Sequence, residues 1–164
     1  SREKRAALFS MLDAAGVVRL QNEYKLLERG QFSIVLAGAD DPNGPFDQKR
    51  PAQLVREIRQ ARGKDAYILM LSHRNDELDL WANMGVQTVL CGHGHGGIVR
   101  LPFVGAVFGT HLDLFPDYTA GLYQKGQTSM IVSRGLGGSR KLPLRIGNRP
   151  EIVTVILKTD SGEI

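Results

Sequence analysis

Two short apolar runs, each leading into a histidine, constrain the fold of this chain more than any other feature. Residues 66–72 lead into His73, and residues 86–91 lead into the loop Gly92-His93-Gly94-His95. Apolar and β-branched runs of about four to eight residues are typical of buried strands. Because a helix-like stretch separates the two runs, we expect parallel strands whose histidines lie at the same edge of an open α/β sheet.

Local patterning predicts the remaining elements. Apolar residues at helical spacing, each followed by a glycine, indicate helices at residues 2–15, 51–62 and 76–84. Strands are expected at residues 17–20, 24–27, 32–38, 66–72, 86–91, 121–125, 129–133 and 152–157. Gly126-Gln127 joins the strands at 121–125 and 129–133 as a hairpin. Residues 98–116 are unusually apolar, and we expect a loop that packs on the core or contacts a partner rather than a lipid.

The loop after the second run has the composition of a metal-binding loop. Four glycines occupy the six positions from Gly92 to Gly97, so the backbone can turn sharply without Cβ clashes. Two imidazoles one residue apart can approach neighbouring ligand positions from different directions. Cys91 fits a small buried residue better than a ligand. Asp40 and Asp41 fit a turn better than a metal site, because Pro and Asn-Gly follow them.

Composition indicates one globular domain, residues 1–164, with a basic second half. Hydrophobic residues make up 42% and charged residues 23% of the chain, and its single cysteine excludes an internal disulfide. The net charge is +4. Between residues 80 and 150, only Asp113 and Asp117 oppose Arg100, Lys125, Arg134, Arg140, Lys141, Arg145 and Arg149. This excess suggests a phosphate substrate, an acidic lipid surface or nucleic acid as partner, but a solvated face explains it equally well.

The segments that carry these histidines resemble those of a known family. Gly92-His93-Gly94-His95 is similar to the Gly-His-x-His signature of the calcineurin-like metallophosphoesterases, and Leu71-Ser72-His73 is similar to their upstream strand-end histidine. Further similar segments are 96–102, 120–123 and 132–137. The resemblance covers nearly the whole chain. It is strongest to small bacterial phosphoesterases, a branch that includes envelope-associated and lipid-sugar diphosphate hydrolase-like members.

The resemblance implies a fold, a cofactor and a set of site residues. The fold would be the C-terminal part of a four-layer α/β/β/α metallo-dependent phosphatase sandwich. His73 and His93 would bind one divalent ion and His95 a second, with Mn, Fe or Zn preferred over Mg by imidazole ligands. A hydroxide activated by the two metals would hydrolyse a phosphate monoester or diester. Arg100 and Arg134 are candidates for substrate contact, although such arginines are more often surface charges. His111 matches no family position and is not expected to be a ligand.

Three family motifs are absent from the chain: Asp-x-His, Gly-Asp-x-x-Asp and Gly-Asn-His-Asp/Glu. We therefore expect the C-terminal half of a phosphoesterase domain that binds metal weakly and is inactive alone. Its expected partners are a phosphate-ester substrate and either the missing N-terminal half or a second copy. A peripheral membrane contact is a further expectation, and the expected location is the bacterial cytoplasm or the periphery of the cytoplasmic or envelope membrane. The alternatives are a non-catalytic basic module that binds nucleic acid or acidic lipid, with nucleic acid the less favoured, and an inactive homologue kept as a scaffold.

Overall fold

A six-stranded mixed sheet, with α2 and α3 packed on one face, organises the chain. The computed structural model describes residues 2–43, 48–138, 144–159 and 162–163. Its helices are α1 (Arg2–Ala14), α2 (Pro51–Arg62) and α3 (Leu78–Asn83). Its strands are β1 (Glu23–Arg29), β2 (Phe32–Gly38), β3 (Ile68–Leu71), β4 (Thr88–Cys91), β5 (Val99–Leu101), β6 (Gly105–Phe108), β7 (Gly121–Lys125), β8 (Thr128–Val132), β9 (Lys158–Thr159) and β10 (Gly162–Glu163). The expected α/β class is confirmed. The four-layer sandwich stays a prediction.

The strand order places the two histidine-bearing strands side by side at the centre of the sheet. The order is β1-β2-β3-β4-β8-β7. Strands β2, β3, β4 and β8 are parallel, whereas β1 and β7 flank them as antiparallel edges. The carboxyl ends of four neighbouring strands therefore meet at one edge. The predicted parallel pairing of β3 and β4 is confirmed.

Local sequence signals explain where several elements begin and end. Helix α2 begins at Pro51, whose missing N–H costs nothing in the first turn, and is followed by Gly63 at φ 92°, as predicted. Gly126, at φ 56°, makes the tight turn of the predicted β7–β8 hairpin. Strand β2 has the predicted bounds. Strands β3 and β4 and helix α3 are each shorter than predicted by two or three residues.

One face of the sheet forms the hydrophobic core. Ile68 and Met70 of β3, with Val89 and Met130 from the next two strands, are fully buried. They pack in one cluster with Leu54, Val55 and Ile58 of α2 and Leu78 and Trp81 of α3. The alternation of buried residues along each strand fixes which side chains point to the other face.

The opposite face of the sheet is also apolar but stays partly exposed. Leu71, Leu90, Ile131 and Leu122 pair across β3, β4, β8 and β7 and so form one row. Leu71 is 39% and Leu122 60% exposed. The sheet therefore has a contiguous apolar surface that a further layer of structure could cover.

Residues 17–20 were expected to form a strand, and this prediction is wrong. The Val17 N–H donates to Leu12 O of α1 at 2.9 Å, and Arg19 forms an ion pair with Asp13 at 3.0 Å. The segment thus completes the end of α1 and forms no strand ladder. It then passes so close to Gly38 that a Cβ there would lie 2.6 Å from Leu20 O.

Two further predictions, for residues 98–116 and 152–157, differ from the structure. Residues 98–116 contain the antiparallel pair β5–β6, which is extended by bridges to Ile146 on one side and Leu114 on the other. Phe103 in the β5–β6 turn is fully exposed, so the expected core packing of this stretch does not hold for it. Residues 152–157 were expected to form a strand and are apolar except for Thr154, but they form no strand. In the part of the chain that the structure describes, no helix is long and apolar enough to cross a membrane.

Candidate active site

The four parallel strands deliver polar side chains to the same edge of the sheet. Asp41 follows β2, His73 follows β3, His93 follows β4 and Arg134 follows β8. Because β2, β3, β4 and β8 are neighbours in that order, these side chains line up along the carboxyl edge. This edge is where open α/β sheets place their ligand sites.

His73 and His93 lie in direct contact. Their ring centroids are 4.3 Å apart, with the ring planes inclined at 61°. His111, from the β6–β7 connection, also lies near His93, with the two ring centroids 5.5 Å apart. The structure therefore brings together the histidines of two neighbouring strand ends and adds a third from a loop.

His95 has different surroundings. Its ring bonds the backbone of Gly137, and Arg145 lies near enough to influence its charge. Arg145 itself donates to the carbonyl oxygens of Arg134 at 2.7 Å and of Gly135 at 3.3 Å. The charge of His73 also acts on His95, so His95 lies near the His73–His93 pair but has its own hydrogen-bond partner.

The histidine loop has an unusual backbone that is held from outside. His93 and His95 have φ values of 66° and 51°, in the left-handed region that most side chains avoid. The Asn148 side-chain amide donates to His95 O at 2.8 Å and to Gly97 O at 2.5 Å, and Asn148 is only 3% exposed. These buried bonds offset the cost of the backbone conformation and fix the loop.

The metal ligands on this chain are few. Asp41 Oδ2 lies 3.9 Å from His73 Nε2. However, the described segments contain no group of three or more His, Cys, Asp or Glu arranged to hold an ion. Cys91 is buried as predicted, and burial, followed by the charges of Glu77 and Asp76, raises the pKa of its thiol to about 12. Two imidazoles suit a transition metal ion, but three protein ligands is the usual minimum for firm binding.

Curated proteins with similar sequences decide the family. The metallophosphoesterase YkuE of Bacillus subtilis is 39% identical over 153 residues, covering 92% of this chain and 50% of the relative. A metallophosphoesterase of Aquifex aeolicus is 31% identical over 126 residues, covering 76% of this chain and 46% of the relative. The chain belongs to the metallophosphoesterase family.

This metallophosphoesterase chain spans about half the length of the curated relatives it matches. Phosphodiesterase YaeI of Escherichia coli is a more distant relative, 28% identical over 155 residues, covering 94% of this chain and 53% of the relative. No family model and no solved structure matches the chain.

The two arginines expected to contact substrate are bound to protein groups in this metallophosphoesterase. Arg134 forms an ion pair with Glu151, with Nε donating to Oε2 at 2.7 Å. Arg100 Nη1 donates to Gly96 O at 2.9 Å and to Thr119 Oγ1 at 3.2 Å. Both guanidinium groups thus support the histidine loop or its neighbours, and their contact with substrate stays a prediction. Arg140 lies outside the described residues.

Asp41 combines the predicted turn with a place at the site. Its Oδ1 accepts a hydrogen bond from the Asn43 N–H at 2.8 Å, which confirms the turn. The same oxygen lies 3.4 Å from Arg74 Nη2. Burial alone would raise the pKa of Asp41, but the bonds from Asn43 and Arg74 outweigh burial and lower this pKa.

Sequence reasoning missed Arg74 and Asn148 and gave His111 no role as a ligand. Arg74 had a signal, since it directly follows His73. Asn148 and the approach of His111 to His93 had none, because each reaches the histidine loop from a distant segment. The missed residues therefore come mainly from tertiary packing.

Burial makes the two loop histidines poor proton acceptors. Burial lowers the pKa of His93, and the positive charges of His73, His111 and Arg74 lower it further. Burial also lowers the pKa of His95, followed by the charge of Arg145. Both rings therefore stay neutral, the form that binds metal, to a lower pH than a free histidine would.

These lowered pKa values predict that the metal-free protein loses stability in mild acid. As the pH falls below 6.5, the ordinary histidine value, the unfolded chain takes up protons before folded His93 and His95 do, so the free energy of unfolding decreases. We expect the thermal midpoint in EDTA to fall between about pH 7.5 and pH 5.5, and to fall less for His93→Asn. Asparagine tolerates the left-handed φ of this position. Equal pH slopes for the two proteins would contradict the prediction.

Proposed function

We propose that this chain supplies part of the active site of a metal-dependent phosphoesterase that hydrolyses a phosphate monoester or diester. The observation that carries the proposal is the contact between His73 and His93, whose rings lie 4.3 Å apart at adjacent strand ends. The names of the relatives support a metal-dependent phosphoesterase in general, and the name of the Escherichia coli relative favours a diester.

Each histidine has a proposed role. His73 and His93 ligate one divalent ion, and His95 contributes to a second, with Mn, Fe or Zn suited to imidazole nitrogen. When bound, such ions activate the attacking water and neutralise charge on the phosphoryl oxygens. Asn148 and Arg100 hold the loop in place through its carbonyl groups.

The ligands within the described residues are too few for the proposed two-metal centre. The curated relatives are about twice as long as the chain, and we propose that the remaining ligands come from polypeptide equivalent to their other half. The chain alone is then expected to bind metal weakly and to hydrolyse esters slowly.

The exposed apolar face of the sheet could pack against the same polypeptide that would supply the remaining ligands. Four apolar residues form a contiguous row across four strands, and two of them are well exposed: Leu71, Leu90, Ile131 and Leu122. Burial of such a row contributes about 25 cal/mol for each Å² removed from water. We propose that the unmatched half of the domain packs here. Pairing between two copies of the chain is the competing occupant.

A full-length chimera tests both parts of this proposal. We would fuse this chain to the part of Bacillus subtilis YkuE that it does not match, and follow hydrolysis of bis(p-nitrophenyl) phosphate and p-nitrophenyl phosphate. We expect Mn²⁺-dependent hydrolysis by the chimera at least about 10³-fold above that of the chain alone. Light scattering should find the chimera monomeric and the chain alone self-associated.

The chimera carrying His93→Asn is the matched control, because the substitution removes the imidazole but suits the backbone. It should be folded and inactive. A folded chimera that holds two metal ions yet hydrolyses neither ester would contradict the proposed activity. A chain that is a monodisperse monomer on its own would contradict the proposed packing face.

The alternative of a non-catalytic basic module gains no support from the contacts of the basic residues. Lys125 pairs with Asp79 at 2.8 Å and Arg134 with Glu151. Arg100 is bound to Gly96 O. Three of the basic side chains that suggested an anionic partner are therefore bound to groups of the same chain.

A further inference from the structure

Arg74 has a hydrogen-bonding capacity that the protein leaves largely unused. Its side chain is only 23% exposed, and its Nη2 lies 3.4 Å from Asp41 Oδ1, longer than the roughly 2.7–2.9 Å of a firm charge-assisted bond. Its Nε is sealed from solvent and finds no partner within residues 2–43, 48–138, 144–159 and 162–163. A buried donor without a partner is costly. Because solvent does not reach Nε, a ligand would have to be bound through the Nη groups.

The arginine borders a cleft beside the histidine pair. The cleft has a volume of about 460 Å³ and is lined by Arg74, Asn75, His93 and His111 among others. His111 belongs to the β6–β7 connection. Asn75 Nδ2 donates to Tyr118 O at 2.8 Å and so ties this connection to the segment that carries Arg74. A cleft of this size suits a small ligand.

We propose that Arg74 binds a single phosphate group in this cleft, with His111 of the β6–β7 connection as a second donor. The planar guanidinium group offers parallel N–H donors that match two oxygens of one phosphate. A phosphate bound there lies next to His93, where the reacting group of an ester belongs. This role in substrate binding rests on the proposed phosphoesterase function.

Carboxylates around the cleft restrict what it accepts. Asp76, Asp113 and Asp117 also line it, and Asp41 stands behind the guanidinium group. One phosphate gains from Arg74, whereas a second negative group would approach these carboxylates and be repelled. The site therefore favours an ester with one phosphate and a neutral or cationic leaving group over a polyphosphate.

Phosphate titration of the 164-residue chain in EDTA tests this assignment without metal or turnover. Inorganic phosphate is added while the Cε1–H signals of the four histidines are followed by NMR. We expect saturable shifts of His93 and His111. Arg74→Gln should weaken binding at least about tenfold. Arg74→Lys should be intermediate, since it keeps the charge but loses the fork. Pyrophosphate should bind no more tightly than phosphate.

Arg56→Gln, on an exposed position of α2, is the matched control and should bind like the unmodified chain. Equal affinity for Arg74→Gln and the unmodified chain, no saturable binding by the unmodified chain, or much tighter binding of pyrophosphate would each overturn the assignment. Thermal unfolding will show whether Arg74→Gln is folded. If it is unfolded, the test uses Arg74→Lys instead, and an Arg74→Lys variant that binds phosphate as tightly as the unmodified chain would also overturn the assignment. Because neither metal nor hydrolysis enters the assay, failure here leaves the chimera test of the phosphoesterase intact.

Discussion

His93→Asn is expected to weaken Zn²⁺ or Mn²⁺ binding by this chain by about 100-fold or more. The physical reason is the contact between the His73 and His93 rings. With few ligands on the chain, one lost imidazole removes a large part of the binding energy. Loss of an outer-shell partner alone costs about 10- to 100-fold in metal affinity. Calorimetric titration of each metal into the apo protein at neutral pH measures the change.

His111→Asn is the matched control for this prediction. The ring centroid of His111 lies 5.5 Å from that of His93, and His111 matches no expected ligand position. Its replacement should leave metal affinity within a few-fold of the unmodified chain. If both substitutions abolish binding equally, His111 is itself a ligand, and the assignment drawn from the resemblance is incomplete.

Gly97→Ala is expected to destabilise the protein by about 2–5 kcal/mol and to displace the histidine loop. Gly97 has φ 84°, which disfavours any Cβ. A Cβ built there would also lie 2.9 Å from Ala106 Cβ and 3.0 Å from Phe108 O, so β6 would have to move. Urea denaturation gives the loss of stability, and the NMR signals of His93 and His95 report the displacement.

Gly126→Ala separates the two causes of that loss. Gly126 also has a positive φ, 56°, but nothing lies within 4 Å of a Cβ built there. Its replacement should lower the free energy of unfolding by about 1–2 kcal/mol, which is the cost of a Cβ at positive φ without any steric clash. The NMR signals of the histidines should stay unchanged. Equal losses for both variants would mean that the contact between the histidine loop and β6 contributes nothing.

The fold shows where local reasoning succeeds. Strand β2, helix α2 and the β7–β8 hairpin begin and end close to their predicted bounds, because their periodicity, proline and glycine signals lie within the elements themselves. Residues 17–20 and 152–157 carry apolar patterns of the same kind but form no strand. A strand also needs a partner ladder, and its own sequence does not specify one.

Some features of the candidate site follow from local sequence, and others depend on contacts between distant segments. The proximity of His73 and His93 followed from two adjacent parallel strands and is confirmed by their ring contact. His111 contacts the ring of His93, and buried Asn148 donates to His95 O, but both residues lie at least 15 residues away in sequence from these histidines. Arg134 was a candidate for substrate contact, but the structure pairs it with Glu151, a contact that no local pattern reveals.

The sequence by itself determined the parallel strands, the glycine-rich histidine loop and the family, because each depends on spacing within a short stretch. Only the tertiary structure decided that His111 approaches His93, which arginines are bound within the chain, and that Arg74, whose Nε has no partner among the described residues, lines the cleft. These outcomes depend on how distant segments pack. Packing is settled by the balance of burial and hydrogen bonding over the whole molecule rather than by any one stretch.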